Sequence, residues 1–379
     1  MECTLYLSDD CNLRCKYCYE RGRRINGRMS EANLQKAIAF IIDNSDIGER
    51  IDLTFLGGEP LLNKDMMYRA MEIINEEYKK YAPYIFCNIT TNGTMISEKD
   101  ILFFRNNNFE VSISIDGDHK THDLNRISLD GKDNYDLIIS NMKKMLELQI
   151  NLSVRMTATQ NNVHLLYGNV KYFYDLGIKQ INIGIDEVGK WTEKELSLFD
   201  ESLELLDKYY LDSVVKDEGK VLNIYDHRLA SYVFKKKPRY CSGGTNGHLV
   251  INSKGEFYPC GYVANDAAWK VGDLENGHDM KIFLKKARES IHKQSDCRDC
   301  EIAYTCCGSK CGFLNYALTG YLNGHSDITC KLQKLLHKHN LIVIKKLYET
   351  QNSRLMNMLN KAHEHNLELG PVMKQIICT

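Results

Sequence analysis

Apolar positions in the first half of the chain follow two alternating periods. Short β-branched and aromatic runs of period two predict strands at Thr4–Ser8, Ile51–Leu56, Tyr84–Thr91, Val111–Asp116, Asn151–Thr157 and Gln180–Asp186. Between them a period of 3.6 predicts helices over Glu31–Asn44, Met66–Tyr81, Glu98–Asn106, Tyr135–Leu148 and Val163–Leu176. Strands and helices in strict alternation imply parallel strands joined by helical crossovers. A closed barrel of this kind takes eight units, so six predict a partial, open (β/α)6 barrel in the α/β class. The active sites of such barrels sit at the C-terminal ends of the strands.

Downstream the pattern changes. A charged helical stretch, Glu193–Lys216, is followed by a predicted hairpin, Gly247–Asn252 with Gly255–Tyr258, turning at Ser253-Lys254-Gly255. Two more helices are predicted at Leu332–Thr350 and Arg354–His365. The resulting division is a barrel over 1–190, a helical bridge over 191–238, a small cysteine-rich domain over 239–335 and C-terminal helices over 336–379. His337, His339, His363 and His365 are spaced i,i+2, which does not put each pair on one helical face, and they are expected on solvated helix surface.

Composition narrows the function classes. At 379 residues the chain can bury a large core, and 43% hydrophobic with 26% charged residues is ordinary for a globular protein. A net charge of −1 carries no nucleic-acid footprint. No window approaches eighteen apolar residues and no signal segment opens the chain, so a cytosolic protein without membrane partners is expected. Fourteen cysteines in that setting point to metal or redox chemistry rather than disulfides. The basic run Lys235-Lys236-Lys237-Pro238-Arg239 reads as a solvated linker, or as a contact for an acidic peptide or an electron-donor protein.

The first chemistry lies on the loop leaving the first strand, Cys11-Asn12-Leu13-Arg14-Cys15-Lys16-Tyr17-Cys18-Tyr19. Three thiolates at this spacing can converge on one metal centre. A four-iron cluster normally takes four cysteines, so three leave one iron open. Zinc with a fourth ligand, or with an open catalytic position, is the alternative. Gly57-Gly58-Glu59-Pro60 follows the second strand, and its glycines allow close backbone approach while Glu59 adds a carboxylate acceptor. Thr90-Thr91-Asn92-Gly93-Thr94 follows the third strand, Asp116-Gly117 ends the fourth, and Ser114 and Arg155 alternate onto strand faces that look into a barrel. His122, Asp123 and Arg126 read equally as a surface salt-bridge turn.

At these residues the chain resembles the radical S-adenosylmethionine (SAM) enzymes, whose signature is Cys-x3-Cys-x-aromatic-Cys, with Tyr17 at the aromatic position. The resemblance implies that Cys11, Cys15 and Cys18 hold a 4Fe-4S cluster whose open iron chelates SAM. It implies that Gly57, Gly58, Glu59 and Pro60 meet the SAM amino group. By the same resemblance Tyr17, Asn92, Ser114, Asp116 and Arg155 complete the cofactor pocket. His122, Asp123 and Arg126 also resemble the family. No catalytic side chain beyond these is identified.

A second cysteine field holds Cys241, Cys260, Cys297, Cys300, Cys306, Cys307, Cys311 and Cys330. Paired zinc sites are the plain alternative, but this run lacks matched zinc knuckles. It resembles the SPASM domain, which carries two auxiliary 4Fe-4S clusters, so that three clusters and SAM are the implied cofactors. By that resemblance Cys297, Cys300, Cys306 and Cys330 hold the outer cluster, and Cys241, Cys260 and Cys311 the inner one. Four residues separate Cys306 from Cys311 where the family has three, a spacing that Cys307 would satisfy. No further cysteine falls in 242–259, so the inner cluster is expected to have an open iron, with Cys307 or Cys378 as the alternative fourth ligand. Cys3 and Cys87 are expected to be buried small hydrophobes.

The resemblance implies a peptide or protein substrate and a flavodoxin- or ferredoxin-type electron donor. The expected reaction is carbon–sulfur (thioether) crosslinking at cysteine. Formylglycine formation of the anaerobic sulfatase-maturating type, or another peptide crosslink, is the alternative. Sulfatase-maturating enzymes carry an aspartate directly after the cysteine that corresponds to Cys260, where this chain has Gly261. Many peptide maturases begin with a leader-binding domain, and Met1 lies only ten residues before Cys11.

Overall fold

Strands form where the period-two runs stand because each hides one face and leaves the other to polar groups. The computed structural model describes residues 1–379 except 21, 23, 24, 218, 236–241, 246, 292–296, 298, 307–310 and 379. Its strands are β1 (Glu2–Ser8), β2 (Ile51–Gly57), β3 (Ile85–Thr91), β4 (Glu110–Ser114), β5 (Asn151–Ala158), β6 (Gln180–Ile185), β7 (Val221–Leu222), β8 (His248–Ile251), β9 (Glu256–Tyr258), β10 (Gly272–Asp273) and β11 (Gly277–His278). In β2 the buried set is Ile51, Leu53 and Phe55, with Asp52, Thr54 and Leu56 half-buried between them. In β5 it is Leu152, Val154, Met156 and Ala158, which leaves Ser153, Arg155 and Thr157 on the other face. In β1 every residue after Glu2 is buried, as expected for a strand covered on both faces.

The chain divides into two compact units, neither of them continuous in sequence. The first takes Met1–Ile115, His122–Val154 and Ser242–Ser290. Its strands run in the order β11-β10-β9-β8-β1-β2-β3-β4. Pairs β1–β2, β2–β3 and β3–β4 are parallel, joined by helices such as Glu31–Asp43 and Lys64–Glu77. Ser30 caps the first of these helices by accepting from Asn33 N at 3.2 Å, and its apolar stripe of Leu34, Ala37, Ile38, Ile41 and Ile42 is buried. The predicted hairpin in the second cysteine field is β8–β9, and β8 pairs in parallel with β1, Glu2 opposite His248 through Leu5 opposite Ile251. That pairing satisfies the edge of β1 that β2 leaves free, a long-range contact that local patterning does not report.

The second unit takes Asp116–Thr121, Arg155–Cys241 and Ile291–Thr379. It contains the end of β5, then β6, with the short parallel strand β7 beside it. Its helices include Glu193–Asp212, Asn223–Val233, Asp327–Glu349, Ser353–Glu364 and Pro371–Cys378. The predicted helix Val163–Leu176 divides into a 3-10 turn, Val163–Leu165, and an α-helix, Leu166–Asp175. Tyr84 belongs to a 3-10 turn with Pro83 rather than to β3, since proline has no N–H to give a ladder.

Two expectations about surface residues are corrected. His339 is fully buried, with Nδ1 2.6 Å from Asp207 Oδ2 and Nε2 2.8 Å from Asp200 Oδ1, on the helix face turned to Glu193–Asp212. His337 is half-buried against Tyr232 and Thr305, whereas His363 and His365 are exposed as expected. His122 is likewise buried, its ring 5.6 Å from that of Tyr135, so it is no surface turn residue. Among the described residues no helix is long and apolar enough to cross a membrane.

Candidate functional site

The first cysteine loop leaves the C-terminal end of β1 and is held along its length by backbone hydrogen bonds. Arg14 N donates to Ile127 O at 2.8 Å, Lys16 N to Asn125 O at 3.0 Å, and Leu129 N to Asn12 O at 3.1 Å. Cys11, Cys15 and Cys18 are half-buried and form no disulfide. Cys11 Sγ accepts from Leu13 N at 3.4 Å and from Asn92 Nδ2 at 3.9 Å. Donors aimed at a sulfur favour its thiolate, the form that binds iron. Asn92 also donates to Asn12 Oδ1 at 2.8 Å, and Asn12 Nδ2 reaches Thr94 Oγ1 at 2.7 Å, which ties this loop to the turn after β3. The Arg126 guanidinium lies 5.4 Å from the Tyr17 ring.

The glycines of Gly57-Gly58-Glu59-Pro60 are required by the same loop. A Cβ on Gly57 (φ +132°) would stand 2.1 Å from Ser8 O, and one on Gly58 would stand 2.4 Å from Asp10 O. The close approach is therefore made by the chain that carries the cysteines. Gly58 N donates to Ser8 O at 2.9 Å and Glu59 N to Asp10 O at 2.8 Å. The Glu59 carboxylate, only 1% exposed, is turned inward. It accepts from Thr91 Oγ1 at 2.6 Å, Asn92 N at 2.7 Å and Leu61 N at 3.1 Å. Burial raises its pKa to about 6 against the lowering effect of these bonds. Glu59 thus joins its own turn to the turn after β3.

Ser114 ends β4 half-buried in the first unit. In the second unit Asp116 is buried and accepts from Thr157 N at 3.0 Å, while Arg155 is exposed on β5. Gly117 (φ +154°) leaves room for Asn169, whose Oδ1 accepts from Asp118 N at 3.0 Å.

The auxiliary cysteines fall in both units. Cys260, in the first, is half-buried and extended ahead of the turn Gly261–Val263. Tyr262 of that turn packs on Tyr19, which follows Cys18, with ring centroids 4.8 Å apart. A side chain at Gly261 would begin 2.9 Å from the Tyr6 hydroxyl, so an aspartate does not fit there without displacing Tyr6. In the second unit Cys297, Cys300, Cys306 and Cys330 come together. The Cys330 thiol is pushed up to about 11, first by burial and then by Cys306, Cys297 and Cys300 close by. Four converging cysteines are the donor set that a metal or an iron–sulfur cluster takes. Cys306 N also donates to Ile302 O at 2.8 Å, fixing the turn that follows Cys300. Cys311 precedes the helix Gly312–Thr319. Cys241 and Cys307, with residues 236–239 of the basic run, lie outside the described residues.

Cys3 and Cys87 are buried on β1 and β3, and burial raises both thiols, Cys87 to about 12, as inert core positions require. Cys378 is exposed on the last helix. Sequence reasoning missed His325, whose Nδ1 lies 3.6 Å from Cys297 Sγ, because a lone histidine in a loop carries no spacing signal.

Comparison with known proteins agrees with this anatomy. The radical SAM superfamily model matches residues 5–168, and the SPASM iron–sulfur cluster-binding domain model matches residues 241–301. A cysteine-type anaerobic sulfatase-maturating enzyme of Clostridium novyi (strain NT) is 28% identical over 353 residues, covering 88% of this chain and 93% of that one. The radical SAM cyclopropyl synthase TigE of Paramaledivibacter caminithermalis is 26% identical over 369 residues, covering 88% and 72%. Among solved structures, native anSMEcpe with bound AdoMet and Cp18Cys peptide superposes with a TM-score of 0.72 at 20% identity, covering 95% of this chain and 99% of that one. These findings and the two cysteine fields agree: the chain carries a radical SAM domain followed in sequence by a SPASM domain.

Proposed function

We propose that the protein is a radical SAM maturase that modifies a side chain of a peptide or protein, by carbon–sulfur crosslinking at a cysteine. A four-iron cluster held by this chain would, with SAM bound, supply a 5′-deoxyadenosyl radical by reductive cleavage. The chain's own residues prepare that chemistry. Cys11, Cys15 and Cys18 are the proposed ligands, and Leu13 N and Asn92 Nδ2 favour the thiolate of the first. The turn Gly57-Gly58-Glu59-Pro60 is the proposed seat of the SAM amino group, with Glu59 holding the shape of the turn through Leu61, Thr91 and Asn92. Ser114, Asp116 and Arg155 are proposed cofactor contacts beyond it. Two auxiliary clusters, at Cys297, Cys300, Cys306 and Cys330 and at Cys241, Cys260 and Cys311, complete three, and a flavodoxin- or ferredoxin-type protein is the proposed donor.

The observation that carries the crosslinking reading is Gly261. Sulfatase-maturating enzymes place a carboxylate there, and here the space is taken by the Tyr6 hydroxyl. Formylglycine formation is the second reading, favoured by full-length similarity to sulfatase-maturating enzymes. One experiment separates them. The anaerobically reconstituted enzyme is given SAM, a reductant and cysteine-containing peptides, and the products are read by mass spectrometry. Crosslinking retains sulfur, removes two hydrogens and leaves a thiol that alkylating reagents no longer find. Loss of sulfur with a hydrazide-reactive aldehyde would establish the second reading instead.

A further inference from the structure

His325 lies on the loop between the helices Gly312–Thr319 and Asp327–Glu349, five residues before Cys330. Its Nδ1 is 3.6 Å from Cys297 Sγ, a usual length for a nitrogen–sulfur hydrogen bond. All of the groups involved belong to the second unit. Two anchors fix the cysteine at the other end of this segment. Ser326 caps the helix Asp327–Glu349 by accepting from Thr329 N at 3.2 Å, and Thr329 Oγ1 donates to Glu187 Oε2 at 2.9 Å. The loop bearing His325 is therefore tied down directly beside the four converging cysteines.

The direction of the hydrogen bond follows from the chemistry of the donor set. A cysteine committed to iron is a thiolate with no proton to give. The imidazole must then be the donor, Nδ1–H to sulfur. We propose that His325 donates a hydrogen bond to the Cys297 thiolate of the outer auxiliary cluster and thereby sets that cluster's reduction potential above the value its cysteines alone would give. Hydrogen bonds to ligand sulfurs withdraw electron density and stabilise the reduced cluster, a recognised lever on iron–sulfur potentials. The inference rests on the reading of Cys297, Cys300, Cys306 and Cys330 as cluster ligands, and it adds a residue to that site which is not itself a ligand. Its consequence is directional. A raised potential makes the outer cluster the more ready electron acceptor of a chain that also holds a low-potential cluster for SAM.

The test uses the full-length, anaerobically reconstituted protein and its His325→Ala and His325→Gln variants. Midpoint potentials are followed by electron paramagnetic resonance during a redox titration, with iron counted in each preparation. The expected result is full iron in all three, one potential shifted negative in His325→Ala, and a return toward the wild-type value in His325→Gln, whose amide keeps an N–H donor. The other potentials should not move. Full iron with every potential unchanged overturns the proposal. So does the loss of one cluster's iron in both variants, which would make His325 a ligand. Should His325→Ala fail to fold, the wild-type protein labelled with 15N-histidine still decides. A weak nitrogen coupling and an exchangeable proton at the reduced cluster support the hydrogen bond, and the absence of both refutes it. The underlying reading is checked separately, since a Cys297→Ala, Cys300→Ala variant that keeps all its iron would refute the assignment of these cysteines as cluster ligands.

Discussion

Glu59 concentrates three donors on one buried carboxylate, so its replacement is felt in the fold before it is felt by a cofactor. In Glu59→Gln the side-chain NH2 faces a donor it cannot bond, and a buried polar mismatch of this kind costs about 1–3 kcal/mol. The variant should melt earlier and bind SAM more weakly, read by calorimetry and by equilibrium binding. Titration gives a second signature. Because the folded pKa of about 6 exceeds the ordinary 4.5, the folded chain keeps a proton that the unfolded chain releases between these values. Stability without SAM should therefore fall as pH rises through that window, by about 2 kcal/mol at roughly 1.4 kcal/mol per pH unit. Glu59→Gln should lack this slope in denaturant titrations. His339 is shifted the same way, but by ion pairing rather than by burial. Burial alone would lower its pKa, but hydrogen bonds to Asp207 and Asp200 outweigh burial and raise it. With a carboxylate on each nitrogen the ring is an imidazolium. Its stabilisation is complete below the unfolded value, near pH 6.5, and is lost as pH rises through the higher folded value. His339→Ala, which leaves two carboxylates facing each other, should cost about 3–5 kcal/mol in unfolding free energy on the acid side and less on the alkaline side.

At the scale of elements, the turn after β2 and the loop after β1 behave as one piece. Gly58→Ala would drive a Cβ to 2.4 Å from the Asp10 carbonyl oxygen, and neither backbone can yield without moving Cys11. The variant should lose the iron of the first cluster, seen as a fall in iron content and a lost paramagnetic signal after reduction, while the auxiliary clusters persist. Gly168 provides the contrast. It lies in the helix Leu166–Asp175, where among the described residues nothing comes within 4 Å of the place an alanine Cβ would take. Gly168→Ala should leave iron unchanged and stabilise the protein by roughly 0.5–1 kcal/mol, since alanine gives up less backbone entropy. The pair separates glycine kept for contact from glycine with no such need.

For the whole molecule, the three four-iron clusters proposed above predict roughly twelve irons per chain after anaerobic reconstitution. Cys11→Ala, Cys15→Ala and Cys18→Ala together should remove about a third of them and all 5′-deoxyadenosine formation, by iron assay and chromatography. Deoxyadenosine persisting in that variant would refute the first site. Much of this was readable from the chain alone, because periodicity and ligand spacing are local. The six main strands, most of the helices and Cys11, Cys15 and Cys18 at the end of β1 follow from which residues alternate and which cysteines lie close in sequence. The tertiary structure decided what depends on distant segments. Only folding brings β8 alongside β1, turns the Glu59 carboxylate toward Thr91 and Asn92, and gathers Cys330 with Cys297, Cys300 and Cys306. His339 shows the reason most directly. Its sequence neighbours are those of a solvated helix, yet Asp200 and Asp207, more than a hundred residues earlier, compensate its charge and allow it to be buried.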